Sequence, residues 1–351
     1  MTTEEDVLRV LAGVKDPELG KDVVSLHMIE GVKVEGDSVT FTLNLTTPAC
    51  PLRTRLEEAA KGAVAGLPGI KSVVMKTSSN VFATRDYAGA DVLKGVKNII
   101  AVASGKGGVG KSTVAVNLAV ALAESGAKVG ILDADVYGPN IPLMMGVEKG
   151  PEVRDEKIIP PVAHGIKVAS LGFFYNEETP VIWRGPLVAG AVRQLLTQVE
   201  WGDLDYLVCD LPPGTGDSSL TLAQTVPLGG VLIVTTPQEA ALAIAAKALA
   251  MFKRLNVPIL GVVENMSYFV CPHCGERTAI FSSGGGRKIA TEREVDFLGE
   301  IPLGVAIREQ SDKGDPIVAA MPDSPEALAY KELAFKVAGM VSIVAFAKMK
   351  K

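Results

Sequence analysis

Gly105-Lys106-Gly107-Gly108-Val109-Gly110-Lys111-Ser112-Thr113 is the stretch that decides the fold of this chain. It fits G-x-x-x-x-G-K-[ST], the loop that cradles phosphates. Its surroundings fit as well. Ile99-Ile100-Ala101-Val102-Ala103 before it reads as a buried strand, and Val114 to Glu124 after it reads as a helix. The glycines let backbone N–H groups turn inward into an anion nest, and the helix N-terminus adds partial positive charge. In such a loop Lys111 reaches the β- and γ-phosphates of ATP, and the Ser112 hydroxyl binds Mg²⁺. A chance glycine-rich loop would need neither the strand before it nor the helix after it.

Lys106 is a second lysine in the loop. The string GKGGVGKST resembles the deviant Walker A loop of the MinD, ParA, ArsA and nitrogenase iron-protein superfamily. That resemblance implies that Lys106 reaches across a dimer interface to the partner's nucleotide. It would then act like an arginine finger supplied in trans, so that hydrolysis requires a homodimer. Read alone, Lys106 is a solvated loop lysine.

The rest of the loop's context is a parallel sheet. Lys128 to Leu132, Gly165 to Ser170, Asp205 to Cys209, Gly230 to Thr235, Pro258 to Val263 and Val295 to Ile301 are β-like runs. Helical stretches, including Leu187 to Val199 and Gln238 to Leu255, fall between several of them. The expected fold class is α/β, a P-loop NTPase with a mostly parallel sheet covered by helices on both faces. Ligands in such sheets sit at the carboxyl ends of the strands.

Three motifs lie at those ends. Asp133-Ala134-Asp135 closes the second strand, and an acidic pair there can serve Mg²⁺ or the attacking water. The superfamily resemblance gives the metal role to Asp133 and the water-orienting role to Asp135. The competing reading is a helix cap or turn. Asp210 ends an apolar strand in the Walker B position, acting on Mg²⁺ through its water shell. In the following Leu211-Pro212-Pro213-Gly214-Thr215-Gly216-Asp217, Gly214 is expected to offer its N–H to the γ-phosphate. Asn265 follows the Pro258–Val263 strand. The resemblance implies that it reads adenine with backbone near Pro302, and an amide has the needed donor and acceptor. A plain turn asparagine is the alternative.

Composition narrows the setting. The chain has 351 residues, 48% hydrophobic, with a formal net charge of −5. That gives no general attraction to nucleic acid or anionic membrane. Its 2 tryptophans and 6 tyrosines do not suggest a stacking platform for bases. Met1-Thr2-Thr3-Glu4-Glu5-Asp6 lacks the apolar run of a signal peptide, and no stretch nears the roughly 18 apolar residues of a membrane span. A cytoplasmic chain with no nucleic-acid or membrane partner is expected. Its 4 cysteines then read as metal or redox chemistry rather than disulfides.

Cys271-Pro272-His273-Cys274 is the second strong signal. C-x-x-C lets two thiolates bind one metal. A second C-x-x-C is absent, and Cys209 should be buried in its strand. The count leaves half a site per chain. A two-fold dimer would join two halves into a Cys₄ site suited to a [4Fe–4S] cluster or Zn²⁺. A thioredoxin-like redox pair and a zinc knuckle completed by His273 are the competing readings.

Residues 1–88 read as a small α+β domain. Glu4 to Val14 has helical spacing, Met28 to Glu35 and Ser38 to Leu45 read as a hairpin, Pro51 to Ala65 as a helix and Ile70 to Lys76 as a strand. Thr46-Thr47-Pro48-Ala49-Cys50-Pro51 places Cys50 near a helix N-terminus, as either a reactive thiol or a small turn residue. Arg85 to Lys97 is the connecting region, with the linker proper at 89–97 and the ATPase domain at 98–351.

With these motifs quoted, the chain resembles the Mrp/ApbC family of iron–sulfur cluster carrier ATPases over nearly its full length. The shared stretches are Val96 to Ile100, Asp133 to Asn140, Trp183-Arg184-Gly185-Pro186, Asp210 to Asp217 and Glu264-Asn265-Met266-Ser267. The TxPxC turn is similar to that of small iron–sulfur assembly domains. The resemblance implies a homodimeric ATPase that binds a labile [4Fe–4S] cluster through Cys271 and Cys274. It also implies transfer to apo iron–sulfur proteins and exchange with scaffold proteins. Two other functions fit parts of the sequence. A MinD- or ParA-like positioning ATPase would use the apolar, basic end Val341 to Lys351 on a membrane, and would leave the thiols idle. An electron-transfer protein like the nitrogenase iron protein would keep its cluster and cycle it.

Overall fold

The computed structural model describes residues 2–17, 19–49, 52–84, 93, 95–136, 138–174 and 185–349. Cys50, Pro51, Tyr137, Trp183, Arg184 and most of the connecting region lie outside them. Contacts between residues divide the chain into two units, Met1–Phe82 with Ala338–Lys351, and Ala83–Val337.

The first unit runs α1 (Glu4–Leu11), β1 (Lys15–Asp16), β2 (Lys21–Asp22), β3 (Ile29–Glu35), β4 (Ser38–Leu45), α2 (Arg53–Ala65) and β5 (Ser72–Ser79). Thr3 and Asp6 form a reciprocal capping box at the start of α1. The helix stops at Leu11 rather than Val14, because Lys15–Asp16 is drawn into pairing with β2. Strand β4 is the spine, antiparallel to β3 and parallel to β5. Its alternation is the expected one, with Val39, Phe41, Leu43 and Leu45 all buried against Leu56, Ala60 and Val64 of α2. The C-terminal residues group with this unit, and Phe346 packs on the same core. This differs from a single continuous 98–351 stretch.

The second unit opens with β6 (Val96–Ser104), which begins two residues inside the linker read from sequence because Val96 already pairs with Leu204. It continues with α3 (Lys111–Glu124), β7 (Val129–Asp133), α4 (Ile141–Met144), β8 (Glu152–Arg154), β9 (Lys157–Ile159), β10 (Val162–Ala163) and β11 (Ile166–Ser170). Then come α5 (Gly185–Gln198), β12 (Leu204–Asp210), α6 (Asp217–Thr225), β13 (Gly230–Thr235), α7 (Glu239–Arg254) and β14 (Ile259–Glu264). The last elements are β15 (Phe269–Val270), β16 (Arg277–Thr278), α8 (Gly285–Glu292), β17 (Phe297–Glu300), α9 (Val305–Lys313), α10 (Ile317–Ala320) and α11 (Pro325–Met349).

Eight of these strands form one sheet in the order β10-β11-β7-β12-β6-β13-β14-β17. All neighbours are parallel except β10, which runs antiparallel at the edge. The central strands are buried at nearly every position, as a sheet covered on both faces requires. The register sets the chemistry: Asp210 stands directly opposite both Val102 of β6 and Asp133 of β7. Two carboxylates thus share the carboxyl edge beside the phosphate loop. In α11, Val341 and Ala345 are buried, so the apolar run near the C-terminus is used in packing. No described helix is long and apolar enough to cross a membrane.

Candidate functional site

The phosphate loop leaves β6 at Ser104 and enters α3 at Lys111. Gly108 and Gly110 have φ of 77° and 78°, a left-handed conformation that side chains disfavour. A Cβ at Gly110 would also run into the Asn265 amide, and one at Gly105 into the backbone of α7. No side chain caps the N-terminus of α3, which leaves its backbone N–H groups facing the loop for an anion.

A cleft of about 450 Å³ opens over this loop. It falls in the size range of small-molecule sites. Lys106, Gly107, Gly108, Gly110, Lys111, Ser112, Thr113 and Asp135 line it, as the sequence led us to expect. Sequence reasoning missed the opposite wall, Leu143 and Met144 of α4 with Ser311 and Asp312 of α9. No local pattern announces residues that arrive from so far along the chain.

Lys111 lies almost wholly buried at the base of the cleft. Its ammonium is 2.6 Å from Asp210 and 3.4 Å from Asp135. Burial alone would lower the lysine's pKa, but the charges of Asp210 and Asp135 outweigh it and hold the pKa above its ordinary value. Ser112 Oγ donates to the other Asp210 oxygen at 2.5 Å. Burial pushes the Asp210 carboxyl up, and the charge of Lys111 with the hydrogen bonds from Lys111 and Ser112 pulls against it. Lys106 is half-buried and makes no ion pair among the described residues.

Three of the expected residues are engaged by their own chain in this structure. Asp133 is fully buried and does not line the cleft. Its carboxylate accepts from Ser170 Oγ at 3.0 Å and from the backbone N–H groups of Asp135 and Ile141. Burial, then the charge of Asp210, push its pKa up to about 7. Through the Asp135 backbone it supports, from beneath, a residue that lines the cleft. Gly214 has its N–H engaged by the Ser104 carbonyl at 2.9 Å, so a phosphate must first displace that bond. Asn265 also stands outside the cleft walls, its amide donating to the Val109 carbonyl at 2.8 Å. Pro302 is buried just after β17.

The thiols stand on a separate hairpin. Phe269–Val270 pairs with Arg277–Thr278, and the turn between them closes with Cys271 N–H donating to Glu276 and Gly275 N–H to Cys271. Cys274 is exposed and Cys271 half-buried. Backbone N–H groups of His273 and Cys274, then the Cys274 thiol, hold the Cys271 thiol below its usual pKa range. Cys209 is buried as expected, and burial pushes its thiol far up. No cluster of three or more His, Cys, Asp or Glu that could hold a metal ion occurs among the described residues.

A phosphate loop at the head of a parallel sheet, with its lysine paired to the carboxylate ending the neighbouring strand, defines a P-loop nucleoside triphosphatase. The family model described as the NUBPL iron-transfer P-loop NTPase matches residues 95–338, and that of an iron–sulfur cluster assembly protein matches residues 4–75. The chain belongs to the iron-transfer P-loop NTPase family. A relative from Synechocystis, an iron–sulfur cluster carrier protein, is 50% identical over 353 residues, covering 98% of this chain and 99% of its own. A solved nucleotide-binding protein from Archaeoglobus fulgidus, in complex with ADP, is 44% identical with a TM-score of 0.60, covering 68% of this chain and 93% of its own. The cell division ATPase MinD of Pyrococcus furiosus is 26% identical with a TM-score of 0.53, covering 68% of this chain and 98% of its own.

Proposed function

We propose that this protein is an ATP-hydrolysing iron–sulfur cluster carrier. Two copies form a homodimer, and the Cys271 and Cys274 pairs of both hold one labile [4Fe–4S] cluster between them for delivery to apo-proteins. The observation that carries this is the displayed thiol pair: two accessible sulfurs on a short hairpin, one of them acidified, with no third ligand in a described cluster. Half a soft-ligand site calls for a second half. The relative named as a carrier supports the same reading.

On the nucleotide side, Lys111 exchanges Asp210 for the β- and γ-phosphates when ATP enters. Asp210 is then left to Ser112, and these two residues would hold Mg²⁺. The Ser112 hydroxyl and the Asp210 carboxylate are hard oxygen donors side by side, which fits that ion. Bound there, Mg²⁺ would supply charge neutralisation for the phosphates. Asp135 orients the attacking water from the cleft wall. Lys106, with no ion pair among the described residues, meets the partner's γ-phosphate. Gly214 trades the Ser104 carbonyl for the γ-phosphate and so reports hydrolysis. Asn265 and Pro302 face the base once the amide releases Val109. The setting is cytoplasmic, with scaffold proteins as donors and no membrane or nucleic acid involved.

The test is anaerobic transfer. Loaded protein mixed with an apo [4Fe–4S] enzyme should restore that enzyme's activity while the carrier's own visible absorption falls. A cluster that stays bound and only changes redox state would contradict the carrier reading.

A further inference from the structure

Glu264 closes β14 and is wholly buried, with no cation paired to it among the described residues. Burying a carboxylate costs free energy, and an apolar side chain of similar size would pack there at less cost. The carboxylate is instead held by three donors. One oxygen accepts from Ser267 Oγ at 2.6 Å and from Gly284 N–H at 3.0 Å, and the other accepts from Gly286 N–H at 2.5 Å. Ser267 begins the excursion that carries both thiols, and Gly284 ends it. One side chain therefore fastens both ends of the thiol-bearing segment.

The next residue reaches the other site. Asn265 donates to Val109 in the phosphate loop, and the left-handed Met266 (φ 55°) places its side chain against Gly110. Backbone bonds extend the same corner: Ser267 N–H to Ile301, and Leu303 N–H to Tyr268, on either side of Pro302. A nucleotide that displaces the Asn265 amide must move the residue joined to Glu264.

We propose that Glu264 is a positioning residue that couples nucleotide occupancy to the geometry of the Cys271 and Cys274 thiols. This rests on the carrier reading for its purpose, but its test needs no iron. In the full-length apo-protein, alkylation of each cysteine by iodoacetamide is followed by peptide mass spectrometry. It is run with and without Mg²⁺ and a non-hydrolysable ATP analogue. Wild type should show rates at Cys271 and Cys274 that differ about fivefold or more between the two states, the low end for coupled sites. Glu264→Gln sets an amide donor against a backbone donor, and should bring that ratio to within about twofold of one while the analogue still binds. Ser267→Ala removes one donor only and should give an intermediate ratio. A merely structural Glu264 would change both rates alike and leave the ratio intact. A full wild-type ratio in Glu264→Gln overturns the proposal. So does one in Ser267→Ala, which decides alone should the first variant not fold, and so does a wild-type ratio of one. The carrier reading fails by a different result, the absence of bound iron and sulfide.

Discussion

In the nucleotide cleft, Lys111 is 6% exposed, two carboxylates face it, and its neighbours come from the ends of buried strands. In the thiol hairpin, Cys274 is exposed and the supporting strands are two residues each. The cleft works by holding charge away from water, where each contact counts for more. The hairpin presents two soft side chains at or near the surface. A machine that keeps its nucleotide chemistry and gives away its cargo needs this asymmetry. Burial marks the site where phosphates are handled, and accessibility the proposed cluster site.

The largest break in the comparison comes from Lys111→Ala. Phosphate release should fall by on the order of 10³-fold, while alkylation of the two thiols without nucleotide stays at the wild-type rate. A matching change at the thiols would show that the two regions are not separately built. If Lys106 serves the other copy as proposed, Lys106→Ala should cost on the order of 10²-fold in turnover yet keep ATP affinity, measured by titration with a fluorescent analogue. Loss of affinity instead would place it in its own site.

The buried pair beneath the cleft carries a pH signature. Asp133 has an ordinary carboxyl pKa of 3.8 when unfolded and about 7 when folded. The folded chain therefore holds a proton that the unfolded chain has lost. Stability from this group falls as pH rises from about 4 to about 7 and is level above that. Urea midpoints across this window should decline less steeply in Asp133→Asn than in wild type. Equal slopes would mean that Asp133 is ionised throughout. The smallest effect is expected at the surface. Cys274→Ala should shift unfolding stability by no more than about 0.5 kcal/mol, as at exposed sites.

The two regions were also unequally legible in the sequence. The loop from Gly105 to Thr113, the strand before it and the helix after it follow from glycine geometry and apolar runs, which are local. The thiol pair follows from spacing and counting. The sequence pattern puts Asp133 at the end of its strand, but not against Ser170, a partner set by strand order rather than by neighbours in sequence. Gly214 and Asn265 were identified as residues while their bonds to Ser104 and Val109 were not, because such bonds depend on which conformation is populated. Ser311 and Asp312 sit on a helix whose polar surface reads like any other solvated face. Glu264 was visible only as part of a quoted motif, since nothing in its neighbours says that its carboxylate turns inward.

The most direct test is anaerobic reconstitution with iron and sulfide, read as iron, sulfide and visible absorption per dimer. The account predicts about four irons and four sulfides per dimer, lost in Cys271→Ala while ATP binding remains. No iron or sulfide, with zinc or nothing bound instead, would contradict it.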